Sequence, residues 1–272
     1  DPQSNRNVMA IGLLAAKQLP VPLPRWHEPD GGAFGAPALV SEFPPGQALA
    51  TARLTADELN SVLTELARAL AAWHGAPAEA ETRGHAEQPP APPRLEKLQH
   101  AWRSSGSAND PLMALVYRWL DAHAPVDAET VLIHGPFHDH DIYLNAAGPQ
   151  LSGVMGWQNA AVGDRHEDLA SLLLRDTLAP STTELQMASS RARARAIIAA
   201  YEVAADLRLD RDRLDYYSRL CLWREALDAA RLIDAAGQQG QVNLDRLDTA
   251  RARWLHARRA LWARMRPDEG KT

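Results

Sequence analysis

Strand-forming residues of this chain are concentrated in one short region, and this limits the folds that the chain can adopt. Residues 131–133 are a compact apolar run, and two further runs at 142–144 and 152–155 bracket a turn at 145–148. Two such runs around a short turn predict a β-hairpin. Because most of the chain after residue 55 has helical periodicity instead, the pattern predicts an α+β fold with little sheet.

The start of the chain carries the remaining strand signals. Residues 8–17 have the apolar spacing of the end of a helix. The proline-rich segment 19–24 then requires extended chain, because each proline disfavours helix in the residue before it. A short strand is predicted at 36–43. We therefore expect residues 1–43 to form a small lobe of one helix and strands, and residues 44–272 a larger, mainly helical lobe.

Helical signals dominate the remainder. Thr55 and Glu58 have the spacing of a capping box, in which a hydroxyl and a carboxylate each bond the other residue's backbone. Behind this box, apolar residues recur every three or four positions as far as Trp73. The arginine-rich stretch 191–195 is predicted to line a solvated helix face. Two later stripes are expected in the core: Tyr216, Leu220, Trp223 and Leu227, and Leu247, Ala250, Trp254, Ala257 and Leu261.

Composition excludes several classes of function. The 29 Lys+Arg and 34 Asp+Glu residues give a formal net charge of −5, which argues against nucleic acid as the main partner, because phosphate binding needs a basic surface. No apolar run approaches the roughly 20 residues that span a bilayer, so no membrane insertion is expected. The single cysteine, Cys221, excludes an intrachain disulfide framework or a thiolate zinc cluster and favours a reducing, cytoplasmic location. The chain opens at Asp1 without a secretory signal, which is compatible with a trimmed start.

The most informative segment is the polar loop that follows the run 131–133. The loop and two later segments read His134-Gly135-Pro136-Phe137-His138-Asp139-His140-Asp141, Val154-Met155-Gly156-Trp157-Gln158, and Gly163-Asp164-Arg165-His166-Glu167-Asp168-Leu169-Ala170. In this order they resemble the aminoglycoside phosphotransferase and choline kinase-like family. That family has the pattern His-Gly-Asp, four residues, Asn, a hairpin, Ile-Asp-Trp-Glu, and then Gly-Asp-Pro followed by Asp-Leu-Ala. The resemblance covers nearly the whole chain and looks most like the phosphotransferase domains related to those fused to some acyl-CoA dehydrogenases.

The resemblance implies a protein-kinase-like fold with a reduced N-terminal, β-containing lobe and a large, mainly helical C-terminal lobe. The loop 134–141 and the hairpin 142–157 would carry the site. Phosphoryl transfer in this fold needs a carboxylate that accepts the substrate proton and two ligands for Mg²⁺. The family's catalytic Asp position is Pro136, its metal-binding Asn position is Asp141, and its second metal-binding Asp position is Gly156. Because proline and glycine offer no ligating side chain, the resemblance implies a degenerate active site.

The same resemblance assigns roles to four other residues. Glu42 and Phe43 fall in the hinge, where the backbone would meet an adenine if a nucleotide binds. His134 and Asp168 would be structural and would brace the backbone of the polar loop. The family's ATP-pairing Lys and its phosphate-covering strands would precede the first residue.

The candidate catalytic residues are the two histidines and two aspartates of the loop: His138, Asp139, His140 and Asp141. Such a set could hold a transition metal. However, the metallo-hydrolase pattern His-x-His-x-Asp-His would need Asp and His where Ile142 and Tyr143 stand. Asp139 lies three residues after Pro136 and is the one acid that could replace the missing base. Asp141 is the remaining candidate metal ligand.

Three functions stay open on the sequence. The first is a pseudokinase-like protein that binds a small molecule, an acyl thioester or a peptide in the cleft between the lobes. The second is an active phosphotransferase that uses ATP and Mg²⁺ on a small hydroxylated substrate, with Asp139 as base and Asp141 as metal ligand. The third is a cleft repurposed for another reaction, such as elimination or cyclisation, by His138 and His140. If residue 1 is the true start of the chain, the missing front strands would leave an exposed sheet edge, and a protein partner or a second copy would be expected to cover it.

Overall fold

The computed structural model describes residues 11–12, 14–15, 19–76, 92–126, 131–178, 184–238 and 243–266. The strands are β1 (Pro24–Glu28), β2 (Ala38–Ser41), β3 (Gln47–Ala48), β4 (Val131–Ile133), β5 (Ile142–Leu144), β6 (Leu151–Val154) and β7 (Ala161–Gly163). The long helices are α1 (Ala56–His74), α2 (Pro92–Arg103), α3 (Pro111–Ala122), α4 (Arg165–Leu178), α5 (Glu184–Ala205), α6 (Arg211–Gln238) and α7 (Leu244–Met265). A short 3₁₀ helix covers Trp157–Asn159, and the described residues between 11 and 15 are also helical.

The chain divides into two compact units. The first comprises residues 1–88, 129–172 and 188–209, and the second comprises residues 89–128, 173–187 and 210–272. The first unit contains every strand described above, together with α1. The second contains α2, α3, α6 and α7. The expected division of the chain into lobes at residue 43 stays a prediction.

The strands of the first unit form three small sheets, all of antiparallel pairs. β1 pairs with β2, β4 pairs with β7, and β5 lies between β3 and β6. The predicted hairpin is confirmed, since Ile142 pairs with Val154 and Tyr143 with Gly153. Ile142 and Leu144 are buried, so Tyr143 points to the opposite face of the hairpin. β3 and β7 were not predicted, because Gln47–Ala48 and Ala161–Gly163 lack the apolar run that marks the equally short β4 and β5.

Helix α1 begins and ends where the sequence predicts. Thr55 accepts a hydrogen bond from Glu58 N, and Glu58 Oε2 accepts one from Thr55 N at 2.8 Å, which completes the capping box. The apolar stripe from Val62 to Trp73 is buried. Because α1 contacts both β4 and β6, this helix supports the strand that precedes the polar loop and the hairpin partner of the strand that follows it.

The second unit is built mainly from the contact of α6 with α7. The predicted α6 stripe is buried, and Trp223 donates from Nε1 to Met113 O at 3.0 Å, which ties α3 to α6. In the α7 stripe Ala250, Ala257 and Leu261 are buried, whereas Trp254 is half-buried. None of the helices in the described part of the chain is long and apolar enough to cross a membrane.

One surface prediction is wrong for a single residue. Arg191 and Arg195 are exposed as expected, but Arg193 is 8% exposed. Its guanidinium lies 3.5 Å from Ser189 Oγ. Residues two apart on a helix project about 200° apart, whereas residues four apart project only about 40° apart. Arg191 and Arg195 therefore share one side of the helix, and Arg193 lies on the opposite side.

Candidate functional site

The polar loop 134–141 leaves buried strand β4 and enters strand β5, so both of its ends are fixed by sheet pairing. Gly135 has a φ of +96°, which a glycine adopts without steric cost. Phe137 N donates to Ser171 Oγ at 2.9 Å, and Ala50 N donates to Asp139 O at 3.0 Å. The backbone of the loop is therefore held from α4 on one side and from the residues after β3 on the other.

A fully buried carboxylate holds the start of this loop. Asp168, on α4, is 0% exposed. Its Oδ2 accepts from His134 N at 2.8 Å, and its Oδ1 accepts from Gly135 N at 2.8 Å. Two backbone N–H groups aimed at one carboxylate satisfy both its oxygens and fix the path of the chain out of β4.

The same carboxylate is linked to two further helices. His74, the last residue of α1, has its Nε2 3.2 Å from Asp168 Oδ2, to which it donates. Its Nδ1 lies 2.7 Å from the hydroxyl of Tyr201 on α5, and Arg165 donates to that hydroxyl at 3.2 Å. We call His74, His134, Asp168 and Tyr201 the buried network. His74 and Tyr201 were missed by the sequence analysis, because nothing local marks which helical polar residues will meet in the interior.

The His134 ring lies in an aromatic pocket. Its Nε2 donates to Met155 O at 2.7 Å, which connects the loop to the residues after β6. The ring stacks on Phe137 at 4.3 Å and meets the edge of Trp157 at 4.8 Å, and Trp157 in turn packs against Trp73 at 5.1 Å. His134 Nδ1 is buried and finds no hydrogen-bond partner among the residues that the structure describes. The ring is therefore a fixed spacer between the loop and the hairpin.

The far end of the loop, residues 138–141, is more exposed than the start of the loop. Asp141 N donates to His138 O at 2.9 Å, so residues 138–141 form a tight turn. His138 and His140 are exposed, and their rings stack with centroids 5.2 Å apart. Asp139 and Asp141 are half-buried. We call residues 139–141 together with Gly156 the open end.

The two positions that the resemblance assigns to metal ligands lie side by side. Met155 N donates to Asp141 O at 2.7 Å, which brings Asp141 next to Gly156. The Asp141 carboxylate forms no hydrogen bond or ion pair with any described residue. Gly156 contributes no side chain, and Pro136 has no titratable atom. Across the described residues no group of three or more His, Cys, Asp and Glu side chains could hold a metal ion. At the two positions that the family pattern gives to metal ligands, the described residues therefore supply one ligating side chain, that of Asp141, which does not fit the family's pair of Mg²⁺ ligands.

Glu42 and Phe43 lie between β2 and β3, in the connection where a hinge was expected. Glu42 N donates to Leu23 O at 2.8 Å, and the Glu42 carboxylate pairs with Arg25. The Phe43 side chain is 68% exposed and meets the Tyr143 ring edge-on at 4.9 Å. Phe43 thus lies against the face of the hairpin opposite to the buried Ile142 and Leu144.

Comparison with known proteins identifies the architecture. A family model described as the phosphotransferase enzyme family matches residues 3–217. A Ralstonia eutropha JMP134 protein assigned to the aminoglycoside phosphotransferases has a TM-score of 0.76 at 17% identity, over 95% of this chain and 82% of that chain. The choline kinase LicA of Streptococcus pneumoniae has a TM-score of 0.64 at 14% identity, over 96% of this chain and 80% of that chain. At such identities the likeness shows the fold, and the predicted kinase-like fold with a small sheet-containing lobe and a large helical lobe is confirmed.

A curated relative matches a shorter part of the chain. Acyl-CoA dehydrogenase family member 10 of Mus musculus is 24% identical over 79 residues, which are 29% of this chain and 7% of that protein. This match fits the predicted similarity to phosphotransferase domains related to those fused to acyl-CoA dehydrogenases. The matched region spans only a small part of the mouse protein.

Proposed function

The chain belongs to the phosphotransferase enzyme family whose model matches residues 3–217, and from that premise we propose that it is a degenerate, pseudokinase-like member. In this proposal it is deficient in ordinary ATP-dependent phosphotransfer and binds a small molecule, an acyl thioester or a peptide at the face that carries the polar loop. The observation that carries the proposal is the joint presence of Pro136 and Gly156 at the base and metal positions.

The chemistry explains why two such positions matter. A positioned general base contributes roughly 10²–10⁴ in rate, and a metal ion stabilises the charge that develops on the transferred group. Pro136 can accept no proton, and Gly156 can hold no cation. The backbone of the loop is held by Asp168 and Ser171. The side chain that lies over Gly156 is the half-buried carboxylate of Asp141, a residue that the family pattern already counts as a separate ligand position.

The contacts that hold the backbone of the polar loop support a ligand-binding role for the face of this loop. The buried network keeps the loop in a defined path, although the residues at its reacting positions have no suitable atoms. Because the buried carboxylate of Asp168 fixes the backbone of the loop, the exposed and half-buried side chains of the loop are presented to solvent in a defined arrangement. We therefore propose that the face of the loop still meets a ligand. A cytoplasmic location, supported by the single cysteine, and a protein partner or second copy that covers an exposed sheet edge remain part of the proposal.

The test is a calorimetric titration of ATP with and without Mg²⁺, followed by measurement of ADP release with a panel of small hydroxylated compounds. The expected result is no Mg²⁺-dependent ATP binding and no ADP release above that of the buffer. Asp141→Ala is the matched control, since it removes the remaining candidate metal ligand without altering a residue of the buried network. Substrate-dependent ADP release that disappears in Asp141→Ala would contradict the proposal.

That contrary result would favour the second candidate, an active phosphotransferase. The observation in its favour is that Asp141 keeps a half-buried carboxylate next to position 156, with Asp139 two residues before it in the same turn. In that case Asp139→Asn should lower ADP release at least tenfold.

A third candidate, a repurposed reaction site, depends on the stacked rings of His138 and His140. These exposed imidazoles could move protons in an elimination or a cyclisation, with no metal or nucleotide involved. Replacing both histidines by Gln should then abolish turnover of the substrate, whereas ligand binding without turnover excludes this candidate.

A further inference from the structure

The last helix of the second unit has a concentration of positive charge that the whole chain does not share. The chain has a formal net charge of −5, but residues 250–266 contain six arginines and neither Asp nor Glu. These residues form most of α7 and its C-terminal cap. A surface with charges of one sign attracts groups of the opposite sign, so α7 is a candidate site for an anionic partner.

Two of these arginines are already neutralised by carboxylates of neighbouring helices. Arg253 donates to both carboxylate oxygens of Glu225 on α6, at 2.5 and 2.9 Å. Arg258 lies 2.9 Å from a carboxylate oxygen of Asp110, the residue that caps α3. The positive charge that faces the interior of the unit is therefore largely paired, and the excess lies elsewhere on the helix.

Three other arginines share one exposed side of α7 with two large apolar residues. At about 100° per residue, these five positions fall within about 80° of one another around the helix axis. All five are exposed, and we call them the α7 stripe: Arg251, Leu255, Arg259, Trp262 and Arg266. The buried residues Ala250, Ala257 and Leu261 lie on the opposite side, so the α7 stripe faces away from the core of the unit.

The positive charge of the α7 stripe is weakly compensated. Arg251 lies 3.7 Å from Asp248, and both side chains are exposed, so this ion pair contributes little. Arg259 and Arg266 form no ion pair with any residue that the structure describes. The guanidinium carbon of Arg266 lies 5.5 Å from the centre of the Trp262 ring. Arginine and tryptophan are the residue types that contribute most to binding at protein interfaces.

The apolar residues of the α7 stripe line a groove together with α3. Leu255, Arg259 and Trp262 of α7 and Leu112 and Leu115 of α3 border a space of about 440 Å³. Leu115, Leu255 and Trp262 are 46%, 56% and 51% exposed. Large apolar side chains that are exposed together and bordered by charged groups mark an interaction site, whereas single exposed apolar residues are ordinary.

We propose that the α7 stripe and this groove dock an acidic amphipathic helix of a partner protein. Such a helix presents apolar side chains three, four and seven residues apart, and these enter the groove. Along α7, Arg259 lies about 12 Å from Arg251 and about 10 Å from Arg266, since each residue advances the helix by about 1.5 Å. Carboxylates seven or eight residues apart on the partner helix have the same spacing, so each of them meets one arginine.

The shape of the site favours a protein segment over an anionic membrane. A lipid surface takes apolar side chains that project from an amphipathic helix, whereas the apolar side chains here line a groove between two helices. The groove belongs to the second unit and the polar loop to the first, so this proposal does not rest on the proposed function.

The test measures binding of two synthetic peptides to the full chain by fluorescence anisotropy. Both peptides have about 20 residues, long enough to form a helix, with leucines along one face. One carries glutamates seven residues apart beside the leucines, and the other carries lysines at the same places. The glutamate peptide should bind about tenfold more tightly or better, and its affinity should fall several-fold between about 0.05 and 0.3 M salt. Equal affinities, or no binding of either peptide, would overturn the proposal.

Two variants with matched controls locate the binding surface. Trp262→Ala and Arg259→Glu should each weaken binding of the glutamate peptide by about tenfold or more. Leu232 on α6 is as exposed as Trp262, at 51%, and Arg191 is an exposed arginine of α5; neither lines the groove. Leu232→Ala and Arg191→Glu should therefore change the affinity by less than about twofold. Equal weakening by a variant and its control would contradict the assignment to the groove.

Two further measurements identify other occupants of the same surface. Sedimentation with vesicles of phosphatidylserine and phosphatidylcholine, abolished by Arg259→Glu, would assign the surface to a membrane if neither peptide binds. A dimer in sedimentation equilibrium that Trp262→Ala dissociates would assign the groove to a second copy of the chain. Either result would overturn the proposal. Asp141→Ala should leave peptide binding unchanged, so failure of the proposed function and failure of this docking site are measured separately.

Discussion

The two ends of the polar loop are built on opposite principles. At its start, the buried network pairs nearly every polar group, with Asp168 accepting from two backbone N–H groups and from His74. At the open end, Asp141 is half-buried and its carboxylate has no partner among the described residues. The backbone path of the loop and the chemistry of the loop therefore depend on different residues: the buried network fixes the path, and the side chains at the open end determine the chemistry.

The separation has an energetic basis. Removing a buried acceptor leaves its donors unpaired in a medium that cannot solvate them, which costs far more than one hydrogen bond normally contributes. A solvated side chain carries no such penalty, because water replaces the lost partner. The start of the loop is therefore under strong constraint from stability, whereas the open end is free to change.

The largest effect is expected at Asp168. Asp168→Ala leaves two backbone N–H groups and His74 without their acceptor, and should lower the free energy of unfolding by about 3–5 kcal/mol. Asp168→Asn keeps the shape and one acceptor oxygen, and should cost clearly less. Urea unfolding of both variants measures this. A loss below about 1 kcal/mol for Asp168→Ala would show that the network is not what fixes the loop.

The second-largest loss in the free energy of unfolding is expected at His74 and Tyr201, the members of the buried network on α1 and α5. His74→Ala removes the link between α1, α4 and α5 and should cost about 2–3 kcal/mol by the same measurement. Tyr201→Phe removes only the hydroxyl 2.7 Å from His74 Nδ1 and should cost about 1 kcal/mol. The double variant should cost less than the sum of the two, since both changes break one chain of contacts. Additive losses would indicate that the two residues stabilise the fold independently.

Glu58 on α1, the helix that also carries His74, is an exposed carboxylate that can be compared with the buried carboxylate of Asp168. Glu58 Oε2 accepts a hydrogen bond from Thr55 N at 2.8 Å, the same distance as that from His134 N to Asp168 Oδ2. The bond at Glu58 is exposed to solvent, whereas the bond at Asp168 is buried. These hydrogen bonds from Thr55 lower the pKa of Glu58 below its ordinary value of 4.5. The stability that Glu58 contributes is therefore complete above pH 4.5 and is lost as the pH falls through the lowered pKa.

Glu58→Gln should accordingly lower Tm slightly at pH 7, and much less than Asp168→Asn does. The difference between Glu58→Gln and the unaltered protein should shrink as the pH is lowered, because both then carry a neutral side chain at 58. Thermal unfolding from pH 7 to pH 3 measures this. A difference that stays constant over that range would mean that the charge on Glu58 contributes nothing.

The smallest effect is expected at the open end. Asp141→Asn changes a half-buried carboxylate without a partner in the described part of the chain, and should alter the free energy of unfolding by less than about 0.5 kcal/mol. A loss comparable with that of Asp168→Asn would break the comparison, since it would place Asp141 inside the stabilising network.

Local pattern predicted much of the fold. The capping box at Thr55 and the hairpin around residues 145–148 were readable because each depends on residues a few positions apart. The pairing of β4 with β7 was not readable, since it joins residues about 30 positions apart through three-residue strands. Arg193 was misplaced for a different reason: helical periodicity puts it opposite Arg191 and Arg195, and only the packing of neighbouring elements decides which of the two sides is buried.

The sequence by itself determined which atoms the site lacks. Pro136 and Gly156 offer no carboxylate whatever the chain around them does, since a side chain's functional groups are set by residue type. Only the tertiary structure decided what surrounds those positions: that His74 and Tyr201 complete the support of Asp168, and that the Asp141 carboxylate fills the space over Gly156. Those relations join helices and strands far apart in the chain, and they arise from packing, which no local stretch of residues encodes.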